Sequence, residues 1–263
     1  MKTFKALALL ALIALPAAGQ QSQTGEPFNW NGKVPAGRWI RVVNLNGGIT
    51  VGAATGDNVE VSATKRWRRG DPSVVHFTST AVNDGQLVCA LWGTEASCDE
   101  RGYHQRGGRD RSTRNNDVSV DFKILVPKGV KVSVETVNGG VFVDGATAEV
   151  EAGTVNGQVE VSTSGGRVNA NSVNGDVRAR LGRIDSEGDM KFDTVNGSVI
   201  VEFNGEFGGD VDLETVNGSL NTNFEMTVSG RLDPKHLRAH IGKPGGPRIK
   251  LETVNGSVEL RRR

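Results

Sequence analysis

Three sets of residues in this chain have types and spacings that could do chemistry. Asp193, Glu214 and Glu252 each stand directly before a Thr-Val-Asn-Gly tetrapeptide. Carboxylates stacked in this way could hold calcium, or could serve as the acid and base of a polysaccharide-cleaving groove. The same place in the other copies holds Glu135, Gly153 and Asn171, so the column is interrupted and the simpler reading is a solvated strand face. His236 and His240 are four apart, the spacing that puts two zinc ligands on one helix face. Leu237 stands where a zinc hydrolase has its glutamate base, and Pro234 and Gly242 leave little room for a helix. No metal is expected there.

The third set is Cys89 and Cys98, in Cys-Ala-Leu-Trp-Gly-Thr-Glu-Ala-Ser-Cys. Behind an export signal, a pair this close is expected to form a disulfide across a small loop, worth about 2 to 3 kcal/mol on the chain-entropy estimate. A redox-active Cys-x-x-Cys and a zinc site with a second cysteine pair both require spacings that are missing. Trp30, Trp39, Trp67 and Trp92 all fall in the first hundred residues, some beside arginines, as in Arg66-Trp67-Arg68-Arg69. They could make a sugar- or polymer-binding face, but the weightier reading is closure of one end of a stack of strands. An arginine-rich stretch at 101–114 could meet an acidic polymer or be merely solvated. None of this is a catalytic signature, so the expectation is a protein with no catalytic residue, cofactor or metal.

The elements that must position these residues are set by a repeat. Thr/Ser-Val-Asn-Gly occurs six times, with its corners at Asn138-Gly139, Asn156-Gly157, Asn174-Gly175, Asn196-Gly197, Asn217-Gly218 and Asn255-Gly256. Apolar residues alternate before and after each corner, as in Met190 to Val201, which predicts two short strands joined by a tight bend. Glycine suits a bend that takes positive φ, and asparagine tolerates it while bonding nearby backbone. Asn-Gly between alternating strands is also the strongest hairpin signal, and an antiparallel sandwich is the alternative. A meander gives no reason for one tetrapeptide to recur at every second turn while the turns between are irregular. Stacked parallel coils do: equivalent residues fall into columns ~4.8 Å apart, and the asparagine amides bond along theirs. The fold expected is all-β, a parallel β-solenoid or β-roll with Asn-Gly corners.

In such a stack Val134, Ala152, Ala170, Phe192, Leu213 and Leu251 form an inward column. Outside, Glu160 would lie beside Arg178, and Lys191 beside Asp212. The corner asparagines are 18, 18, 22, 21 and 38 residues apart, and the last step reads as two periods with an insertion. Residues 223–247, with Pro234, Pro244 and Pro247, would then hold one irregular coil and a protruding loop. Asn44-Leu45-Asn46-Gly47 looks like a degenerate first copy.

The ends and the charge bound location and partners. Lys2, Lys5, an apolar run from Ala6 to Leu15 and Pro16-Ala17-Ala18-Gly19 read as a signal peptide over 1–19; the run is far short of the ~20 residues that span a bilayer. Without Lys2 and Lys5 the chain keeps 29 basic against 30 acidic residues, a balance with no field to attract nucleic acid. A soluble periplasmic or extracellular protein is expected. Residues 20–39 read as an N-terminal segment, 40–127 as a diverged β half with a mobile loop at 99–117, and 128–263 as the regular half. Asn196, Asn217 and Asn255 also begin Asn-Gly-Ser sequons, which the repeat itself explains.

An exported chain with cysteines in its first half, Val118-Ser-Val-Asp-Phe122-x-Ile124-x-Val126-Pro-x-Gly-Val130 and repeated Thr-Val-Asn-Gly-x-Val resembles the bacterial putative-adhesin family of β-strand-repeat domains. The resemblance covers most of 40–260 and implies a β-solenoid or roll, with no catalytic residues to carry over. It points to a non-enzymatic module that offers a rigid face to an envelope protein or polysaccharide. A polysaccharide-active enzyme and an envelope-stress sensory module are the alternatives.

Overall fold

In a computed structural model, residues 22–105, 116–182, 184, 188–228, 233–242 and 246–263 are described. The signal peptide read over 1–19 lies outside them, as does most of the arginine-rich stretch. The first strands are β1 (Gln23–Thr24), β2 (Phe28–Gly32), β3 (Trp39–Val43), β4 (Ile49–Ala53), β5 (Val59–Trp67), β6 (Val75–Val82) and β7 (Gly85–Trp92). Then come β8 (Ala96–Asp99), β9 (Gly102–Gln105) and β10 (Ser119–Val126). The motif coils are β11 (Lys131–Asn138) with β12 (Val141–Ala146), β13 (Val150–Asn156) with β14 (Val159–Thr163), and β15 (Val168–Asn174) with β16 (Val177–Leu181). They continue as β17 (Met190–Asn196) with β18 (Val199–Phe203), and β19 (Gly209–Asn217) with β20 (Leu220–Thr222). Last are β21 (Thr227–Val228), β22 (His236–Ile241), and β23 (Arg248–Asn255) with β24 (Val258–Arg262).

The chain is a two-sheeted parallel β-solenoid. One sheet, the motif sheet, runs β21-β22-β19-β23-β17-β15-β13-β11-β3-β7-β6, and the facing sheet holds β4, β12, β14, β16, β18, β24 and β20. Each coil places one strand in each sheet and turns between them at Asn-Gly. Alternation decides which side is buried: Val134, Ala152, Ala170, Phe192, Leu251 and Leu213 face inward, all at most 3% exposed. Across from them stand Val143, Val161, Ala179, Val201 and Leu260, equally buried. No coil could bury such a face alone; neighbours above and below supply the stability.

Parallel pairing holds through the motif coils, and antiparallel strands cover both ends. At the first end β5 pairs antiparallel with β10, and β6 with β7. At the other, β22 pairs antiparallel with β19. These strands occupy edges that would otherwise present unpaired backbone. The first copy, Asn44 to Gly47, joins the stack through a bridge from Asn46 to Asn138.

The order of the coils departs from the sequence reading in one place. β23 pairs with β17 on one side and β19 on the other, and β24 likewise lies between β18 and β20. The 38-residue step is therefore no skipped coil: the chain goes out to β19–β20, caps it with β22, then returns to fill the gap. Among the described residues of 223–247 are the short β21 and the cap strand β22. Lys191 consequently faces Lys250, and Asp212 lies one strand further on, also against Lys250. The expected Lys191–Asp212 neighbours are thus separated, whereas Glu160 and Arg178 are adjacent.

Candidate functional site

The six corners are built alike. The asparagine amides form a continuous ladder: Asn156 donates to Asn138 and Asn174 to Asn156 at 2.9 Å each, and Asn196 donates to Asn174 at 2.8 Å. Asn255 then donates to Asn196 at 2.8 Å and Asn217 to Asn255 at 2.9 Å. The Thr/Ser of the motif points inward and donates its hydroxyl to the corner-glycine carbonyl of the adjacent coil. Thr194 reaches Gly175 O at 2.8 Å and Ser172 reaches Gly157 O at 2.9 Å. Glycine is required chiefly by this close stacking. A Cβ on Gly139, Gly157, Gly175, Gly197, Gly218 or Gly256 would come within 3.0 Å of a neighbouring glycine carbonyl.

The valine that follows each Thr/Ser has outward parity. Val155, Val173, Val195, Val254 and Val216 form a row along the motif sheet, 37 to 57% exposed, and Val137 begins it half-buried. Counting strand parity from the buried Thr would have found this row in the sequence. Two residues earlier on each strand, on the same outer face, runs the acidic row: Glu135, Gly153, Asn171, Asp193, Glu252 and Glu214 in spatial order. The structure does bring Asp193, Glu252 and Glu214 side by side, but lysines share the place. Lys191 Nζ lies 3.1 Å from Asp193 Oδ1 and 3.4 Å from Glu252 Oε2, and Lys250 Nζ lies 2.9 Å from Glu252 Oε2. Burial pushes the Glu252 carboxyl up, but hydrogen bonds and charge from Lys250 and Lys191 outweigh it and hold it below the usual range. A carboxylate so paired is a poor proton donor at neutral pH.

Where Gly153 leaves the row without a side chain, a groove of about 340 Å³ opens. Val137, Val155, Val173 and Asn171 line it, with Glu135 at its edge and Arg101, Gly102 and Tyr103 forming the opposite wall. Glu135 is open to solvent, yet desolvation by these walls and the charge of Glu151 push its carboxyl up, against a smaller pull from Arg41. Arg41 is held by Asp84 at 2.7 Å.

The groove wall belongs to the β8–β9 hairpin, within the stretch 99–117 read as a mobile loop; residues 106–115 lie outside the described residues. The hairpin covers a small second apolar cluster of Val43, Leu87, Cys89, Leu91 and Ala96 on the outer side of the motif sheet. Cys89 and Cys98 are joined as a disulfide, their Cα atoms 6.6 Å apart, and it ties β7 to β8. The tryptophans do not form one surface. Trp92 and Trp39 are buried, the latter with Arg41 at 4.7 Å and Lys131 at 5.2 Å over its ring. Trp30 and Trp67 are half-buried against the main core. His236 and His240 lie on the cap strand β22, bonded at 2.8 Å each to Asp212 and Asp210 of β19. Among the described residues no cluster of His, Cys, Asp or Glu could hold a metal ion, and no helix is long and apolar enough to cross a membrane.

These features define a β-solenoid whose regular face carries stacked valine and acid rows and a shallow groove. A family model described as Toastrack DUF4097 matches residues 99–261, and the chain belongs to that family, whose function is not assigned. No curated protein matches it. Among solved structures it is similar to a putative cell adhesion protein from Clostridium sporogenes, at 9% identity over 90% of this chain and 100% of that one, with a TM-score of 0.49. It is also similar to a putative adhesin from Bacteroides fragilis, at 10% identity over 90% and 97% with a TM-score of 0.28. A putative adhesin from Parabacteroides distasonis gives 9%, the same coverages and 0.28. Likenesses at this level establish no shared function.

Proposed function

We propose that the chain is an exported, non-catalytic interaction protein, an adhesin-like or scaffolding module of the bacterial cell envelope, whose contact surface is the outer face of the motif sheet. The exposed valine row carries this reading. Five valines left 37 to 57% accessible in a line are more contiguous apolar surface than scattered surface residues make, and such patches mark interaction sites. The strands hold them rigidly, so little side-chain or backbone freedom is lost when a partner docks. The signal-like residues 1–19 and the Cys89–Cys98 disulfide both suit an oxidising compartment outside the cytoplasm. Lysine pairing of Asp193 and Glu252 supports a non-catalytic role.

The test immobilises the chain and measures capture of envelope proteins and polysaccharides by the wild type and by a Val173→Lys, Val195→Lys double variant. Both positions are exposed, so the variant's melting midpoint should match the wild type. Loss of a captured component in the variant supports the face as the contact surface; equal capture by both chains overturns it. Release of reducing ends from envelope polysaccharide by the wild type, abolished when Asp193, Glu214 and Glu252 are replaced together, would establish the enzymatic alternative instead.

A further inference from the structure

Asn-Gly occurs nine times in the chain: at the six motif corners and at Asn31-Gly32, Asn46-Gly47 and Asn204-Gly205. This dipeptide is chemically weak, because glycine leaves its own backbone nitrogen unshielded for attack on the asparagine side chain. To attack, the nitrogen must swing to the Cβ side of the asparagine, so the peptide unit joining the two residues has to rotate. Hydrogen bonds resist that rotation to different degrees along the chain. At five motif corners the unit is pinned on both sides. Gly139, Gly157 and Gly175 N donate to Asn156, Asn174 and Asn196 O at 2.9 Å, and Gly197 and Gly256 N to Asn255 and Asn217 O at 3.0 Å. Asn138 O is held in turn by Gly47 N, and Asn46 O by Val120 N, both at 2.7 Å, so Asn46-Gly47 is pinned twice as well. The series ends at Asn217-Gly218: Asn217 O accepts from Gly256 N, but no described residue accepts from Gly218 N. Asn204-Gly205, exposed just after β18, has neither bond, since among the described residues nothing donates to Asn204 O or accepts from Gly205 N. Asn31-Gly32 lies inside β2, paired with β5, where extended backbone at ψ of about +135° keeps the nitrogen away from the side chain.

We infer that Asn204 and Asn217 are sites of spontaneous deamidation in the folded protein, and that stacking protects the other corners from the same reaction. The backbone nitrogen of the glycine gives its proton to water and forms a bond to the asparagine Cγ. The bond from Cγ to the amide nitrogen then breaks, ammonia leaves, and a succinimide ring remains. Water opens the ring at one carbonyl or the other and yields aspartate or isoaspartate, so the net change is one water consumed and one ammonia released. Each backbone bond that must open first slows ring closure about fivefold. The interior side chains are restrained too, since each amide of the ladder both donates and accepts, whereas Asn217 only donates, to Asn255. A motif that needs Asn-Gly for its bend and its ladder is thus preserved by the neighbours it stacks on, and its last copy in space is left reactive. Conversion there falls on the proposed contact face: it sets a carboxylate beside Val216, the most exposed valine of the row at 57%. Isoaspartate would in addition lengthen the backbone at the end of β19 by one methylene.

The experiment incubates the purified full chain in mildly alkaline buffer, once folded and once unfolded in urea. Samples taken over time are digested in mild acid, which suppresses further reaction, and each Asn-Gly peptide is followed by mass spectrometry, with isoaspartate told from aspartate by fragmentation. In the folded chain Asn204 should convert fastest and Asn217 next. The six doubly pinned sites and Asn31 should be slowest, on the order of 20-fold behind Asn204 for the loss of two bonds. In urea all nine sites should convert at rates within a few-fold of one another. Equal rates at all nine sites of the folded chain would overturn the inference, as would Asn174 or Asn196 outpacing Asn217. The same ranking in urea as in the folded chain would also overturn it, because local sequence and not stacking would then set the rates.

Discussion

The side-chain amide of Asn255 donates to Asn196 at 2.8 Å, although 59 residues separate them in the chain. Asn217, in the coil that follows Asn196 in sequence, reaches the ladder only through Asn255, at 2.9 Å. The amides thus follow the spatial order of coils, and each internal one both donates and accepts. Asn196→Ala removes both bonds of one rung and should lower stability by about 1 to 2 kcal/mol. The ladder is exposed, so water replaces part of what is lost and the lower value is favoured. Urea unfolding measures it, and an unchanged midpoint would count against a stabilising ladder.

Thr194 and Val195 should respond in opposite ways to exchange of their side chains. Thr194 is 4% exposed and its hydroxyl bonds Gly175 O at 2.8 Å. Thr194→Val keeps the shape but removes the donor, and leaving that carbonyl unsatisfied should cost about 1 to 3 kcal/mol. Val195 is 40% exposed, so Val195→Thr should change stability by less than about 0.5 kcal/mol. Denaturant midpoints of the two variants, with unchanged slopes, decide the matter; equal losses would mean that parity has been misassigned.

A methyl group at Gly197 has nowhere to go, because its neighbours there are the carbonyl of Gly175 and the backbone of Asp176. Backbone cannot rotate aside as a side chain can, so the stack must open locally. Gly197→Ala should therefore lose at least about 3 kcal/mol, the upper end for an overpacked site. A Cβ on Gly56 meets nothing within 4 Å, and Gly56→Ala should stay within about 0.5 kcal/mol of the wild type. Thermal unfolding of both, with the Gly56 variant as control for loss of glycine as such, tests whether stacking is what demands glycine at the corner.

The solenoid could be read from the sequence because its constraint is local and repeated. A bend, an inward apolar column and an amide able to bond its own kind recur at fixed positions, and Val134, Phe192 and Leu251 fall where alternation put them. The coil order could not be read, since every coil carries the same motif and Asn217 fits against Asn196 as well as against Asn255. The choice is made by the cap strand β22, whose pairing with β19 occupies the edge that the next coil would have used. The valine row was legible by parity alone. The groove was not: it depends on Gly153 falling beside the β8–β9 hairpin, a contact between segments about fifty residues apart that no local pattern encodes.

Glu135 and Asp117 provide pH tests of opposite sign. In Glu135, desolvation and the nearby Glu151 raise the folded-state pKa above its unfolded value. Its ionisation therefore costs stability, a cost absent below the unfolded pKa and fully present above the folded one. Glu135→Gln should raise the urea midpoint at pH 7 and converge with the wild type near pH 3. In Asp117, the backbone N–H of Gly70, bonded at 2.8 Å, and those of Arg69 and Arg68 depress the folded pKa. Its contribution is present above the unfolded pKa and is lost as pH falls through the folded one. Asp117→Asn should accordingly lower the midpoint at pH 7, with the difference vanishing in acid. Midpoints of wild type and both variants measured from pH 3 to pH 8 should thus separate in opposite directions as pH rises. If the Glu135 variant were instead destabilised at neutral pH, the carboxylate would have to be held by a cation, and the groove would already be neutralised from within.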